Sequence, residues 1–278
     1  MKPVVGVISD FGDGPYSGIM RAVIRSVGDD IDVVDLDHTV PSFSILAGAY
    51  ITLHSYHWLP RGSTILVVVD PGVGSAREAI AVEAGDYYFI GPNNGVLFPA
   101  IRREGFKRGV VLSPKRVVTL ATERFKGKLL RSRWIISNTF HGRDVFAPAA
   151  ALIASGIDIE ELGEVLGEHD LRDVRVDYVE RIEEGYKVSI VYVDKFGNVA
   201  LSAQEHAMPL SGVRRVAIET SIGTFHAQVG RTFSDVNPGD LVIYVNSFGH
   251  YEIAVNQGNA SHKLSVDIGE KLVVIPLA

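Results

Sequence analysis

The chain has 278 residues, 46% of them hydrophobic and 22% charged, a balance that excludes a disordered or low-complexity scaffold and leaves room for two domains. With 27 Lys+Arg against 33 Asp+Glu the formal net charge is -6, which argues against nucleic acid as a partner. There is no cysteine, so disulfides, thiolate metal sites and cysteine nucleophiles are excluded.

In chain order, Val4 to Ser9 is a short apolar strand and Ile31 to Leu36 a second. Between them Ile19, Met20, Val23, Ile24 and Val27 recur at helical spacing within Tyr16 to Val27. Ser44 to Trp58 is a second helix with Ile45, Leu46, Ala49, Tyr50 and Leu53 on one face. Strands are predicted over Thr64 to Val69, Ala79 to Ala84 and Tyr87 to Ile90, and a helix over Ala147 to Ala154, closed by Gly156. Continuous Val/Ile runs point to strands covered on both faces, hence a layered α/β domain with a mainly parallel sheet over residues 1–174. From Arg175 the segments become short, alternating and turn-punctuated: Lys187 to Val193, Arg215 to Glu219, Thr224 to Val229, Asp240 to Val245, Tyr251 to Val255 and Lys271 to Ile275. Residues 175–278 therefore read as a separate antiparallel β domain, a barrel or sandwich, with Glu168 to Glu184 as the linker candidate. The start lacks an apolar signal region and no uncharged stretch has bilayer length, so a soluble, cytoplasmic protein with no membrane partner is expected.

Three stretches combine polar residues with strand ends. Ser9-Asp10-Phe11-Gly12-Asp13-Gly14 follows the first strand, where ligands of open α/β sheets settle. A carboxylate there suits ribose hydroxyls, although Asp10 or Asp13 could instead cap the next helix. Asp70-Pro71-Gly72-Val73-Gly74-Ser75-Ala76-Arg77 resembles a phosphate loop but lacks the Gly-Lys-Ser/Thr ending, and its acid would repel phosphate. An Asp–Arg pair in a cleft can orient a small polar nucleophile, and a surface ion pair is the plainer alternative. Asn138-Thr139-Phe140-His141-Gly142-Arg143-Asp144 offers a histidine as an acid/base or water-orienting group. No zinc-binding spacing is present, and no metal is expected. In the β domain, Asp194-Lys195-Phe196-Gly197-Asn198 and Asn246-Ser247-Phe248-Gly249 with the later Glu252 place aromatics beside amides, which suits a purine; an Asx turn around a core phenylalanine is the structural alternative.

Together and in this order, these stretches resemble the S-adenosylmethionine hydroxide adenosyltransferase family, relatives of the fluorinating and chlorinating enzymes. The resemblance rests on Ser-Asp-Phe-Gly at 9–12, Val-Asp-Pro-Gly-Val-Gly at 69–74 with Arg77, Gly-Pro-Asn-Asn-Gly at 91–95, and Thr-Phe-His-Gly-Arg-Asp at 139–144. It continues through Asp-Lys-Phe-Gly-Asn at 194–198, Asn-Ser-Phe-Gly at 246–249 and Glu-Ile-Ala-Val-Asn-Gln-Gly-Asn-Ala at 252–260. It implies an α/β domain followed by a β-barrel, a homotrimer with the ligand at the subunit interface, and attack of water on ribose C5′ of S-adenosylmethionine to give adenosine and L-methionine. No cofactor is implied. Asp70, Arg77 and His141 match the group that holds the attacking water. Asp10 matches the ribose-binding acid and Phe43 the aromatic wall beside the ribose. Asp194 and Ser247 match positions at the methionine end, and Asn198 and Phe233 fall in adenine-site stretches, with Phe140 and Phe196 as walls. The halogenating relatives carry a tyrosine and a threonine where this chain has Asp70 and Val73, and an arginine where it has Phe248. The first loop is one residue shorter than usual, with Ala22 where a glycine is common. Two other readings compete with this hydrolase: a non-catalytic S-adenosylmethionine or adenosine sensor, and a metal-dependent nucleoside-cleaving hydrolase using Asp10 and Asp13.

Overall fold

Valine- and isoleucine-rich runs without polar alternation build the centre of the first sheet, over residues 4–9, 64–68 and 79–84, where the strands are covered on both faces; the strands at its two edges, 32–37 and 163–166, are partly exposed. The computed structural model describes residues 2–28, 30–124 and 134–277, and the chain divides into two units, Met1–Val174 and Arg175–Ala278. In the first unit, β1 (Val4–Ser9) leads through a turn into α1 (Pro15–Val27). The N-cap of α1 is Gly14, and Pro15 takes the first helical position, where its missing N–H costs nothing. Neither Asp10 nor Asp13 caps this helix; the Ser17 hydroxyl bridges the carbonyls of Gly12 and Gly14 at 3.2 and 3.0 Å. Met20, Val23, Ile24 and Val27 are buried as expected, but Ile19 is exposed and Ser17 takes its place on the inner face.

β2 (Asp32–Asp37) precedes α2 (Ile45–Ser55), which Ser44 caps by accepting the Ala47 N–H at 3.3 Å. A 3₁₀ turn, Tyr56–Trp58, continues α2. β3 (Thr64–Val68), β4 (Ala79–Ala84) and β5 (Tyr87–Pro92) follow. α3 (Phe98–Glu104), β6 (Phe106–Leu112) and α4 (Pro114–Arg124) come next, without counterparts in the sequence reading. α3 is too short to show a period, and Lys107 and Arg108 interrupt the apolar run of β6. A π turn over Gly142–Phe146 runs into α5 (Ala147–Ala154), and β7 (Gly163–Leu166) ends the unit's sheet.

The sheet order is β2-β1-β3-β5-β4-β6-β7. The pairs β2–β1, β1–β3 and β3–β5 are parallel, and the pairs from β5 to β7 are antiparallel. The chain steps from β1 outward to β2 and returns to the other side of β1 for β3. The carboxyl ends of β1 and β3 therefore flank a topological switch point, the place where such sheets bind ligands. Beneath it, Val7, Met20, Ile24, Leu66, Val68 and Phe146 belong to one buried cluster.

The second unit is a closed seven-stranded barrel. β9 (Tyr186–Val193), β10 (Val199–Gln204), β11 (Arg215–Thr220), β12 (Gly223–Val229), β13 (Leu241–Val245), β14 (His250–Val255) and β15 (Lys271–Leu277) form it, after a short β8 (Val179–Arg181). The order β10-β14-β13-β12-β11-β15-β9 closes through the β9–β10 pairing, so none of the seven leaves a free edge along its full length. β12 and β13 pair in parallel, the one exception to the antiparallel pattern. Ile190, Leu201, Val216, Ile218, Ile243 and Ile253 fill the interior. A five-residue helix, α6 (Ala260–Leu264), lies before β15.

Candidate active site

Asp70 sits two residues past the end of β3, and Asn94 fixes the backbone just before it by donating from Nδ2 to the Val69 carbonyl at 2.9 Å. Arg77 closes the same loop onto Asp70. Its Nε donates to Oδ1 at 2.8 Å and its Nη2 donates to Oδ2, a two-pronged charge-assisted pair. Nη2 also donates to His141 Nδ1 at 3.2 Å, and the guanidinium lies 5.0 Å from the centroid of the Phe146 ring. The Asp70 and Arg77 side chains are only 6% and 11% exposed, so this is no surface ion pair. A guanidinium only donates; His141 Nδ1 must therefore accept, and a neutral ring carries its proton on Nε2. Burial first, then the positive charge of Arg77, hold the His141 pKa below its ordinary 6.5 and keep the ring neutral at neutral pH.

Two backbone features bring His141 to Arg77. Gly74 has φ +78°, and a Cβ there would lie 2.6 Å from the Asn138 carbonyl oxygen, so only glycine lets the 70–77 loop close on the 137–141 segment. That segment is anchored by Asp144, nearly fully buried, which accepts the Ser137 N–H at 2.8 Å and two bonds from Arg143 at 2.6 and 2.8 Å. His141 precedes the π turn, where the Ala147 N–H reaches back five residues to the Gly142 carbonyl. Such turns recur at functional sites because they re-aim side chains out of a helix.

Asp10, one residue past β1, accepts the Phe43 N–H on Oδ2 at 2.9 Å. Burial pushes its pKa above the ordinary 3.8; the Phe43 bond opposes this, and the charge of Asp70 adds a smaller push upward. Phe43 has φ +67°, a left-handed conformation costly for a bulky residue, and the residue is 72% exposed. Asp10, Phe43, Asp70, Phe140 and His141 line one cavity of about 320 Å³, with Arg77 behind Asp70 and His141. One wall is aromatic: Phe11, Tyr16 and Phe140 pack at centroid separations of 5.1 to 5.7 Å. Among the described residues no group of three or more His, Cys, Asp and Glu side chains is arranged to hold a metal ion.

The remaining candidates belong to the barrel. Asp194 accepts the N–H groups of Phe196 and Asn198 on Oδ1 and the Asn198 side-chain amide on Oδ2, each at 2.9 Å. The Asx turn of the structural alternative is present and fixes buried Asn198, but its phenylalanine is not in the core: Phe196 is 64% exposed. Gly197 has φ +83°, and a Cβ there would meet the Asn259 amide at 2.2 Å. Glu252 accepts from the Tyr244 hydroxyl and from Asn246 Nδ2, and Phe233 packs edge-on against Tyr244 at 5.2 Å. Asn246 Oδ1 accepts the N–H groups of Phe248 and His250, which shapes the turn carrying exposed Ser247. The barrel candidates thus fall into two groups, the 194–198 turn and the Phe233–Tyr244–Glu252–Asn246 chain. The strand register links them, since Ala200, two residues past Asn198, pairs with Glu252.

Comparison with known proteins agrees with this layout. The model of the SAM hydroxide adenosyltransferase N-terminal domain matches residues 5–163, and that of the C-terminal domain matches residues 188–273. The chain belongs to the SAM hydroxide adenosyltransferase family. It is 34% identical over 278 residues to the (R)-S-adenosyl-L-methionine hydrolase of Salinispora tropica, covering 98% of this chain and 97% of the relative. It is 35% identical over 275 residues to the enzyme of the same name from Thermus thermophilus, covering 97% and 98%. Its fold matches the crystal structure of an uncharacterized conserved protein from Thermotoga maritima with a TM-score of 0.83 and 29% identity, covering 97% of this chain and 99% of that one. In this hydroxide adenosyltransferase family member, sequence reasoning missed Tyr16, Ser42 and Val68 on the cavity wall, and it gave no role to Thr139 within the 138–144 stretch. Tyr16 had a signal, an aromatic one residue inside a helix that starts at the switch point; Ser42 follows Pro41 in a loop with no motif around it, and Val68 reads as an ordinary strand residue.

Proposed function

We propose that the protein hydrolyses S-adenosyl-L-methionine to adenosine and L-methionine, with water attacking the ribose C5′. The supporting observation is the linked Asp70–Arg77–His141 group on the wall of the switch-point cavity. The new C–O bond forms as the C–S bond breaks, and its electron pair neutralises the sulfonium. A sulfonium is a good leaving group, so the site's task is to align one water and take its proton. In this reading Asp70 receives that proton, Arg77 fixes the carboxylate and the imidazole, and His141 orients the water oxygen through Nε2–H. Asp10 accepts from the ribose hydroxyls, with Phe43 and Phe140 as walls. Two carboxylates facing one small cavity favour a cationic substrate and repel halide, which separates this site from those of the halogenating relatives.

The reaction requires no metal or added cofactor in this scheme. Phe43 and the outward aromatics Phe196 and Phe233 need cover. We assign that role to a homotrimer in which the barrel of the adjacent subunit, through Asp194, Asn198, Ser247 and Glu252, completes the adenine and methionine ends. No helix among the described residues is long and apolar enough to cross a membrane; a cytoplasmic location is the accompanying expectation. The names of both relatives specify the R sulfonium epimer, and the same preference is proposed here. Incubation of the purified protein with each epimer, followed by chromatography, tests the reading. Equimolar adenosine and methionine from the R epimer support it; tight binding without turnover, or release of free adenine, contradicts it.

A further inference from the structure

Ser9 and His38 lie outside the cavity lining, yet both are buried, at 0% and 7% exposure. His38 Nε2 donates to Asp35 Oδ1 at 3.0 Å, and Asp35 also accepts from Arg21. With the proton on Nε2, His38 Nδ1 accepts from the Ser9 hydroxyl at 2.7 Å. Ser9 Oγ in turn accepts the Phe11 N–H at 3.4 Å, and the His38 carbonyl accepts the Gly12 N–H at 2.7 Å. Asp10 therefore stands between two residues tied to His38, and it is itself bonded to Phe43 five positions further along the same connection. A Ser–His–Asp chain invites reading as a nucleophile system. Ser9 has no exposed surface, so no substrate reaches its hydroxyl.

We propose that His38 is a positioning residue for Asp10 and Phe43, acting through Ser9, and thereby sets how the site holds the ribose; that consequence rests on the ribose role given to Asp10 above. The 9–14 and 38–43 segments are joined by three bonds, Ser9 to His38, Gly12 to the His38 carbonyl, and Phe43 to Asp10. Only the first depends on the His38 side chain. Without it the buried hydroxyl must find another acceptor, and the peptide on either side of Asp10 turns with it.

Two substitutions separate the halves of the chain. In His38→Asn the amide reaches the Nδ1 position and keeps the Ser9 bond; in His38→Gln it reaches the Nε2 position and keeps only the Asp35 bond. In the ligand-free protein, hydrogen exchange of the Phe43 amide is expected to be about tenfold faster in His38→Gln and in Ser9→Ala, and near wild type in His38→Asn. Calorimetry with adenosine and 2′-deoxyadenosine is expected to show about a tenfold loss of the preference for adenosine in the same two variants. Adding His38→Gln to Asp10→Ala should reduce that preference no further, because His38 acts through Asp10. Equal behaviour of the Asn and Gln variants, or an additive double variant, overturns the inference. If Phe43 exchange follows the pattern while the wild type shows no preference for adenosine, the positioning of Asp10 stands and its ribose role fails.

Discussion

Asp70 and Arg77 form a nearly buried ion pair, an arrangement that adds little net stability but is costly to break from one side. Removing Arg77 would strand a carboxylate and confuse folding with function, so Asp70→Asn is the cleaner probe. It keeps the shape and one bond to Arg77 but cannot take a proton, and kcat should fall by about 10²- to 10⁴-fold with KM little changed. An equal loss in KM would make Asp70 a binding group. Asp10 carries the opposite signature: its raised pKa means that the folded state disfavours its charge. At neutral pH the ionised Asp10 lowers stability, and that cost disappears as pH falls below the ordinary 3.8. Asp10→Asn should raise Tm at neutral pH, with the difference shrinking in acid, while KM rises; an unchanged KM would remove Asp10 from the site. His141 resists protonation in the fold, so its stability contribution falls as pH drops below 6.5 toward the lowered folded-state value. Protonation also ends its ability to accept from Arg77. One ionisation in the acid limb of kcat/KM should therefore lie below 6.5 and be absent from His141→Gln, which keeps only the acid loss due to the carboxylates.

At the scale of elements, the site is an encounter of two loops, and Gly74 sets how near they come. Gly74→Ala should lower Tm and reduce kcat more than it weakens adenosine binding, because it moves Asp70 and Arg77 away from His141 while leaving Asp10 in place. Calorimetry and steady-state kinetics on one preparation check this, and parallel loss of binding would contradict it. The strands that carry Asp10 and Asp70 were legible in the sequence because unbroken Val/Ile runs have few other uses. α3 and β6 were not, since seven residues, or an apolar run split by Lys107 and Arg108, fall below what periodicity resolves. The meeting of Arg77 with His141 is 64 residues apart in sequence, and only the family resemblance linked them. The bond of Asp10 to Phe43 was likewise invisible, because it depends on a left-handed phenylalanine that no propensity anticipates.

For the whole molecule, seven strands of the second unit close on themselves, so aromatics such as Phe196 and Phe233 left outside need another surface to cover them. Light scattering should report three times the chain mass, and a monomer that retains full activity would refute the trimer proposed here. Hydrolysis as proposed needs one water molecule held by Asp70, Arg77 and His141 behind the C5′–S bond. Turnover of the R epimer in ¹⁸O-labelled water, read by mass spectrometry of the nucleoside, tests this most directly. One ¹⁸O atom in the 5′-hydroxyl of adenosine, lost together with turnover in Asp70→Asn, is the predicted result. Unlabelled adenosine, or free adenine with the label on C1′ of a ribosyl group still bonded to methionine, would contradict it.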